Sequence, residues 1–555
     1  MQRPKVSDLT VREKIGQVLM ISQGVLFTKD DGSCRTNEEA YELMSKYQFG
    51  GMWTAGGIAM DVVNVGDWSA DAVLGTLEDS RVFMEKLQKT VKIPMFIGVD
   101  CERGTGDNYS DGTTTLGALS VGAANDEKLT YELNAAVARE VKAAGANWRW
   151  FPVVDLNSRF SSHLMRNFSD DIDRMSRHAI AAMRGVQSED VVSTAKHFPG
   201  IDPYEYRDSH MVTTIINLSV DEWRKTQAKT FQAMIDAGVM SIMSSHIAFP
   251  AADDEMINGR YIPATASSKI LKGLLRDEMG FEGVLITDAL CMGGMSTMFS
   301  RQDMIIRAFN AGNDILLDVR FNDVELFYEA VCDGRIPMER LDESCERVLA
   351  MKEKIGLFGE KKAPGDSATI CKQTREINQK VAEKSMTLLY DRNEMLPLSK
   401  EKIKKVAIIC SSHFPAFRDM LSVTEEEFNK RGAEVTLVDD IPSGKVLKAL
   451  AEEYDLLIYA GYVAPHRPMG FPSLYGDKAL TYVFAFSAGK EKSLGVSMGY
   501  PFLHHDIMQG AETFINTYSP DAESQMAFVK ALYGEIAFNT DSPVDVKPKM
   551  RQFYC

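Results

Sequence analysis

Val191-Val192-Ser193-Thr194-Ala195-Lys196-His197-Phe198-Pro199-Gly200 is the stretch on which the fold turns. A short apolar run follows a helical pattern, Ser176 to Val186, ends on Lys-His, and is cut by Pro-Gly. That order is what a buried parallel strand with a functional end looks like in sequence. Beyond the break, Ile201-Asp202-Pro203-Tyr204-Glu205-Tyr206-Arg207 leads to Asp208-Ser209-His210. In extended backbone, residues two apart point the same way, so Asp208 and His210 can pair as carboxylate and imidazole, which tunes the ring for proton transfer. In isolation an Asp-x-His reads as a loop pair serving nearby backbone groups; what surrounds this one gives it chemistry.

The same pattern recurs on both sides. Upstream, Thr10 and Glu13 have capping-box spacing before a predicted strand in 16–22. A helix over 38–47 precedes a strand over 49–54, a helix over 79–91 precedes one over 93–99, and a helix over 127–144 precedes one over 148–154. Downstream, helical patterns over 220–237, 267–278 and 304–310 precede strands over 239–243, 283–287 and 314–319. About eight strand–helix units over some 350 residues predict a (β/α)₈ TIM barrel. Asp100, Asp155, His197, His246 and Asp288 all sit at predicted strand C-termini, which converge on the face where barrel sites are built. Any one of them could be a helix N-cap; five on a common rim point to a site.

Domain boundaries follow from composition. The barrel is expected over 1–358, a polar linker over 359–376, and an α/β sandwich domain over 377–555. Predicted strands of the second domain are 405–410, 434–438, 455–459, 481–486 and 494–498.

With 555 residues, 45% apolar and 25% charged, the chain is a globular protein of two or three domains. Its 62 basic and 78 acidic residues give −16, with no Lys/Arg block to bind nucleic acid or an anionic membrane. Eight scattered cysteines without C-x-x-C, and no apolar leader or span, predict reduced thiols in the cytoplasm. Nine histidines lack metal-ligand spacing, and no Walker or Rossmann glycine pattern occurs, so neither metal nor cofactor is expected. Gly104-Thr105-Gly106 reads as a mobile loop near the barrel mouth, and an oligomer is compatible with the sequence.

Lys196-His197-Phe198-Pro199-Gly200 followed by Asp208-Ser209-His210 resembles the signature of the β-N-acetylglucosaminidase branch of glycoside hydrolase family 3. Ile97-Gly98-Val99-Asp100-Cys101-Glu102-Arg103-Gly104, Pro152-Val153-Val154-Asp155-Leu156 with Arg166-Asn167-Phe168, and Gly283-Val284-Leu285-Ile286-Thr287-Asp288-Ala289-Leu290 resemble further family segments in the expected order. Leu388-Leu389-Tyr390, Leu396-Pro397-Leu398 and the 531–543 stretch resemble the family's C-terminal domain, so the resemblance spans nearly the whole chain.

The resemblance implies a retaining, exo-acting β-N-acetylglucosaminidase. Asp288 matches the nucleophile that forms a glycosyl ester, and His210 the acid/base, with Asp208 holding its tautomer. Asp100, Arg166, Lys196 and His197 match sugar binders, and Ser245 and His246 more weakly. A residue-level alternative remains for two of them: Lys196 can pair with Asp100 or Asp155, and His197 can be a buried structural ring. The chain departs from the family in having Ile201-Asp202-Pro203 after Pro-Gly in place of Gly-His-Gly, and Cys101 and Arg103 in place of Gln and Gly.

The implied partner is a small glycoside or oligosaccharide, with inorganic phosphate as an alternative acceptor, because the resemblance extends to two-domain members some of which are phosphorylases. A carboxylate acid/base about 4 Å from phosphate would repel it by about 4 kcal/mol at an effective dielectric of 20, whereas neutral imidazole would not. A third reading is a β-glucosidase whose acid/base comes from the C-terminal domain, where Glu512 is the candidate. The Asp208/His210 pair argues against it. A non-catalytic sugar sensor would need neither Asp288 nor His210.

Overall fold

The computed structural model describes residues 2–29, 31–54, 75–156, 158–161, 163–360, 365–414, 416–439, 444–463, 474, 489–506 and 512–546. It divides into two compact units, Met1–Thr115 with Thr130–Leu156 and Ala179–Arg375, and Leu116–Leu129 with Asn157–His178 and Glu376–Cys555.

The first unit is built on eight parallel strands: β1 (Leu19–Ser22), β2 (Gly51–Trp53), β3 (Phe96–Val99), β4 (Trp148–Arg149), β5 (Val192–Phe198), β6 (Ser241–Ser244), β7 (Val284–Thr287) and β8 (Leu316–Val319). They run in the order β7-β6-β5-β4-β3-β2-β1-β8. A parallel bridge between Ile286 and Ile315, with Thr287 N–H donating to Ile315 O at 3.1 Å, brings the two edges together as a (β/α)₈ barrel.

The two-residue period of the strands decides which side chains reach the interior. Met20, Phe96, Trp148, Val192, Met243, Val284, Ile286 and Leu317 pack together inside, while Leu19, Ile21, Met52, Ile97 and Val99 pack outward. Gly98 takes an inward position because Met20 and Trp150 already fill it. A Cβ there would lie 2.6 Å from an atom of each. Carrying the period two residues past Gly98, and past Ile286, makes Asp100 and Asp288 the next inward positions.

The capping box expected at Thr10 and Glu13 forms, and others appear. Thr10 and Glu13 form a capping box at Val11–Gln17, and Thr36 with Glu39, Thr76 with Asp79 and Ser219 with Glu222 repeat it. The predicted helix over 220–237 is two segments, Val220–Lys225 and Gln227–Asp236, and the one over 267–278 is a π-helix, Lys269–Glu278.

The second unit holds a six-stranded sheet: β9 (Thr387–Asp391), β10 (Lys405–Ser412), β11 (Glu434–Asp439), β12 (Leu456–Tyr462), β13 (Ser493–Ser497) and β14 (Thr513–Asn516), in the order β9-β14-β13-β12-β10-β11. Only β9 is antiparallel to its neighbour. The strand expected over 481–486 and part of the expected linker, 361–364, lie outside the described residues. Among the described residues, no helix is long and apolar enough to cross a membrane.

Candidate active site

Asp288 directly follows β7. Its N–H donates to Ser244 O at 2.9 Å, and its Oδ1 accepts the Ala289 N–H at 2.8 Å. Burial works against its charge, but the imidazoles of His197, His246 and His210, in that order, outweigh it and hold the carboxyl below its ordinary range. Three rings supplied by β5, by the segment after β6 and by the loop after β5 therefore share one electrostatic neighbourhood with this carboxylate.

His210 Nδ1 lies 2.5 Å from Asp208 Oδ1, and the same oxygen accepts the His210 N–H at 2.8 Å. Asp208 is buried while the His210 ring is partly exposed. A buried carboxylate at Nδ1 fixes the tautomer and supports the imidazolium.

The loop is closed at its base by the residues that depart from the family pattern. Asp202 accepts the N–H groups of Tyr204 at 2.8 Å and Asn217 at 2.7 Å, and Gln227 donates to Ile201 O at 2.7 Å. Its far end docks on the segment after Asp288: Gly293 N–H donates to His210 O at 2.7 Å, and Gly294 N–H to Ser209 O at 3.2 Å. A Cβ on Gly293 would lie 2.3 Å from Met211 O, and one on Gly294 2.8 Å from Ser209 O. Only glycine permits this approach.

Lys196 is buried and bridges two carboxylates, Asp100 at 2.8 Å and Glu102 at 2.7 Å. Asp155 holds His197, accepting its backbone N–H at 2.9 Å on Oδ1 and facing Nδ1 at 2.8 Å with Oδ2. His197 is thus an oriented ring whose other nitrogen is Nε2.

Glu102 and Arg149 were not anticipated as contributors. Arg149 is buried, and two of its nitrogens donate to Cys101 O at 3.0 and 2.7 Å while a third donates to Asn134 Oδ1 at 2.7 Å. Burial lowers its pKa to about 10, so it stays charged at neutral pH. It braces Cys101, whose φ of 45° is left-handed, and that turn sets Asp100 and Glu102 on Lys196. The Cys101 thiol, at a position where this chain departs from the family residue, donates to Asn108 Oδ1 at 3.2 Å.

The 104–115 segment is pinned, contrary to the mobile loop expected there. Gly104 bridges Thr114, Gly106 N–H donates to Thr113 O at 3.0 Å, and buried Glu140 accepts from the Thr105 hydroxyl and from Thr113 N–H.

His246 is fully buried with both ring nitrogens occupied, Nε2 on Ala289 O and Nδ1 on Thr265 Oγ1, each at 2.9 Å. This leaves no ring nitrogen for a ligand and makes the ring a brace for the residue beside Asp288. Ser245 is buried next to it, and its Oγ has no partner among the described residues. Arg166 closes a short turn, Leu164–Arg166, of the second unit. Glu512, in the same unit, is ion-paired with Lys490 and lies 4.0 Å from Arg392.

Residues 10–351 match the model of the glycosyl hydrolase family 3 N terminal domain. The chain belongs to glycosyl hydrolase family 3. This family 3 chain is a glycoside hydrolase, and its two-domain build is that of its structural neighbours. It is 25% identical over 491 residues to a β-N-acetylglucosaminidase/β-glucosidase of Cellulomonas fimi, covering 85% of this chain and 87% of that one. It is 28% identical to β-hexosaminidase A of Pseudoalteromonas piscicida over 62% of each chain. Among solved structures, a β-glucoside phosphorylase, BglX, bound to 2FGlc superposes with a TM-score of 0.82 at 26% identity, covering 98% of this chain and 95% of that one. A family 3 β-N-acetylglucosaminidase from Paenibacillus sp. str. FPU-7 has the same fold, with a TM-score of 0.79 at 24% identity over 97% and 99% of the two chains.

Proposed function

We propose that this family 3 enzyme removes terminal β-linked N-acetylglucosamine by a retaining double displacement. Asp288 attacks the anomeric carbon as His210 gives its proton to the departing oxygen, and a glycosyl ester of Asp288 forms. His210, now neutral, takes a proton from water as the water oxygen attacks that carbon, and the ester bond breaks. The supporting observation is the pairing of a carboxyl held in its anionic form with an Asp-braced imidazole whose loop is hydrogen-bonded to the segment following that carboxyl. Asp100, with Lys196, Glu102 and His197, supplies acceptors and donors for ring hydroxyls. Ser245 and His246 act on this reading by supporting the rim.

Phosphorolysis is the second reading. The likeness over almost the whole chain to the β-glucoside phosphorylase favours it, and an imidazole that has given up its proton would not repel an anionic acceptor. The β-glucosidase reading with Glu512 as acid/base is weakened by the pairing of that carboxylate with Lys490.

Turnover of 4-nitrophenyl N-acetyl-β-D-glucosaminide and of the matching β-D-glucoside, with and without inorganic phosphate, tests the proposal. Free N-acetylglucosamine released independently of phosphate is expected. Sugar 1-phosphate as the main product would establish phosphorolysis instead, and no turnover of either glycoside would overturn both readings.

A further inference from the structure

The loop that carries His210 is unusually apolar on its outside. Among the described residues eight large hydrophobic side chains are exposed, and four of them fall within 204–212: Tyr204 at 75%, Tyr206 at 56%, Met211 at 63% and Val212 at 41%. Scattered exposed apolar residues are ordinary, whereas a cluster marks a surface that something covers. The loop is not simply loose, because Glu205, between the two tyrosines, is turned inward onto Arg207 and Ile215 N–H. The base is tied by Asp202 and the far end by Gly293 and Gly294.

Position says what covers it. An acid that protonates the departing oxygen must sit within hydrogen-bond reach of it, so the group attached to that oxygen lies beside His210. Met211 is the next residue, and Tyr206 is four residues away, no more than about 14 Å even in extended chain. Charge narrows the class further. Residues 201–212 carry three carboxylates, Asp202, Glu205 and Asp208, against one guanidinium, Arg207, which is already paired with Glu205. Asp202 and Asp208 are buried and Glu205 is paired with Arg207, so the outer face of the loop presents apolar side chains and no unpaired charge.

We propose that Tyr206 and Met211, together with Tyr204 and Val212, form the binding surface for the leaving group, and that it accepts an uncharged aromatic or apolar aglycone. This rests on His210 being the acid/base. The same surface would receive the acceptor in the second half-reaction, in which an alcohol oxygen bonds to the anomeric carbon, the Asp288 ester bond breaks, and the alcohol proton passes to His210.

The test uses the full-length enzyme trapped as its 2-deoxy-2-fluoroglycosyl ester, reactivated in water, methanol or benzyl alcohol. Wild type, Tyr206→Ala and Met211→Ala are compared, each normalised to its own rate in water, with Tm confirming that the variants fold. In wild type, benzyl alcohol is expected to accelerate reactivation about tenfold more than methanol, and that preference should fall roughly threefold to tenfold in each variant. Equal acceleration by the two alcohols in wild type, or an aromatic preference that survives both substitutions, would overturn the proposal. Failure of the wild-type enzyme to form any trapped ester would overturn the proposed Asp288 glycosyl ester on which this inference rests, and is therefore distinguishable.

Discussion

The backbone N–H of Gly293 donates to the carbonyl of His210 at 2.7 Å, joining the residue proposed as acid/base to the segment that follows Asp288. Asp288 directly follows β7 and His210 lies in the loop after β5, and this bond, with the one from Gly294 to Ser209, ties that loop to the segment after Asp288. A side chain at either glycine would push the loop outward.

Gly293→Ala should therefore lower kcat by about 10²-fold, the effect of displacing a reacting group by around 1 Å, while substrate binding changes little. Steady-state kinetics with the 4-nitrophenyl glycoside checks this, and a Tm close to wild type would show that the loss is local.

Asp208→Asn keeps a side chain beside His210 Nδ1 but removes the charge that supports the imidazolium. Its kcat should fall by about 10²-fold or more with leaving groups that need protonation, and by much less with 2,4-dinitrophenolate, which leaves unaided. Equal losses for both leaving groups would contradict the assigned role.

Glu102→Gln removes one of the two carboxylates on Lys196. With the ammonium then shared less, Lys196 should draw Asp100 away from a bound hydroxyl, raising KM several-fold with kcat nearly preserved. Arg149→Met should produce a larger defect, because it releases the Cys101 turn that carries both carboxylates.

Lys352 is buried against Gln17 Oε1 at 2.7 Å and the Phe96 ring, and burial pushes its pKa down to about 7 from 10.5. The unfolded chain keeps this proton at higher pH than the folded one, so stability rises as pH increases from about 7 towards 10.5. Lys352→Met should lack that rise, and the difference in Tm between the variant and wild type should shift in favour of wild type between pH 7 and 9.

How much of this was legible in the sequence depends on the kind of signal. The barrel strands follow from apolar runs of the right length, and the inward positions of Asp100 and Asp288 follow from their two-residue period. Glu102 was open to the same spacing argument that singled out Asp208 and His210, since it stands two residues from Asp100. Arg149 offers only a charged residue inside an apolar run, a pattern that a surface strand shares. The glycines at 293 and 294 carry no mark of the carbonyls they must approach, which come from residues more than eighty positions earlier. The assignment of 116–129 and 157–178 to the second unit rests on long-range packing, such as Gly122 against Phe168 O, that no local pattern encodes. β14 was missed because Thr513–Asn516 is too short to stand out from its surroundings.

The most direct measurement is peptide mass spectrometry of the enzyme after exposure to a 2-deoxy-2-fluoro-β-glycosyl fluoride. The account predicts one covalent sugar on the peptide containing Asp288, absent in Asp288→Asn, and formed at comparable extent in His210→Ala because fluoride departs without a proton. A label on any other carboxylate, or labelling that persists in Asp288→Asn, would contradict it.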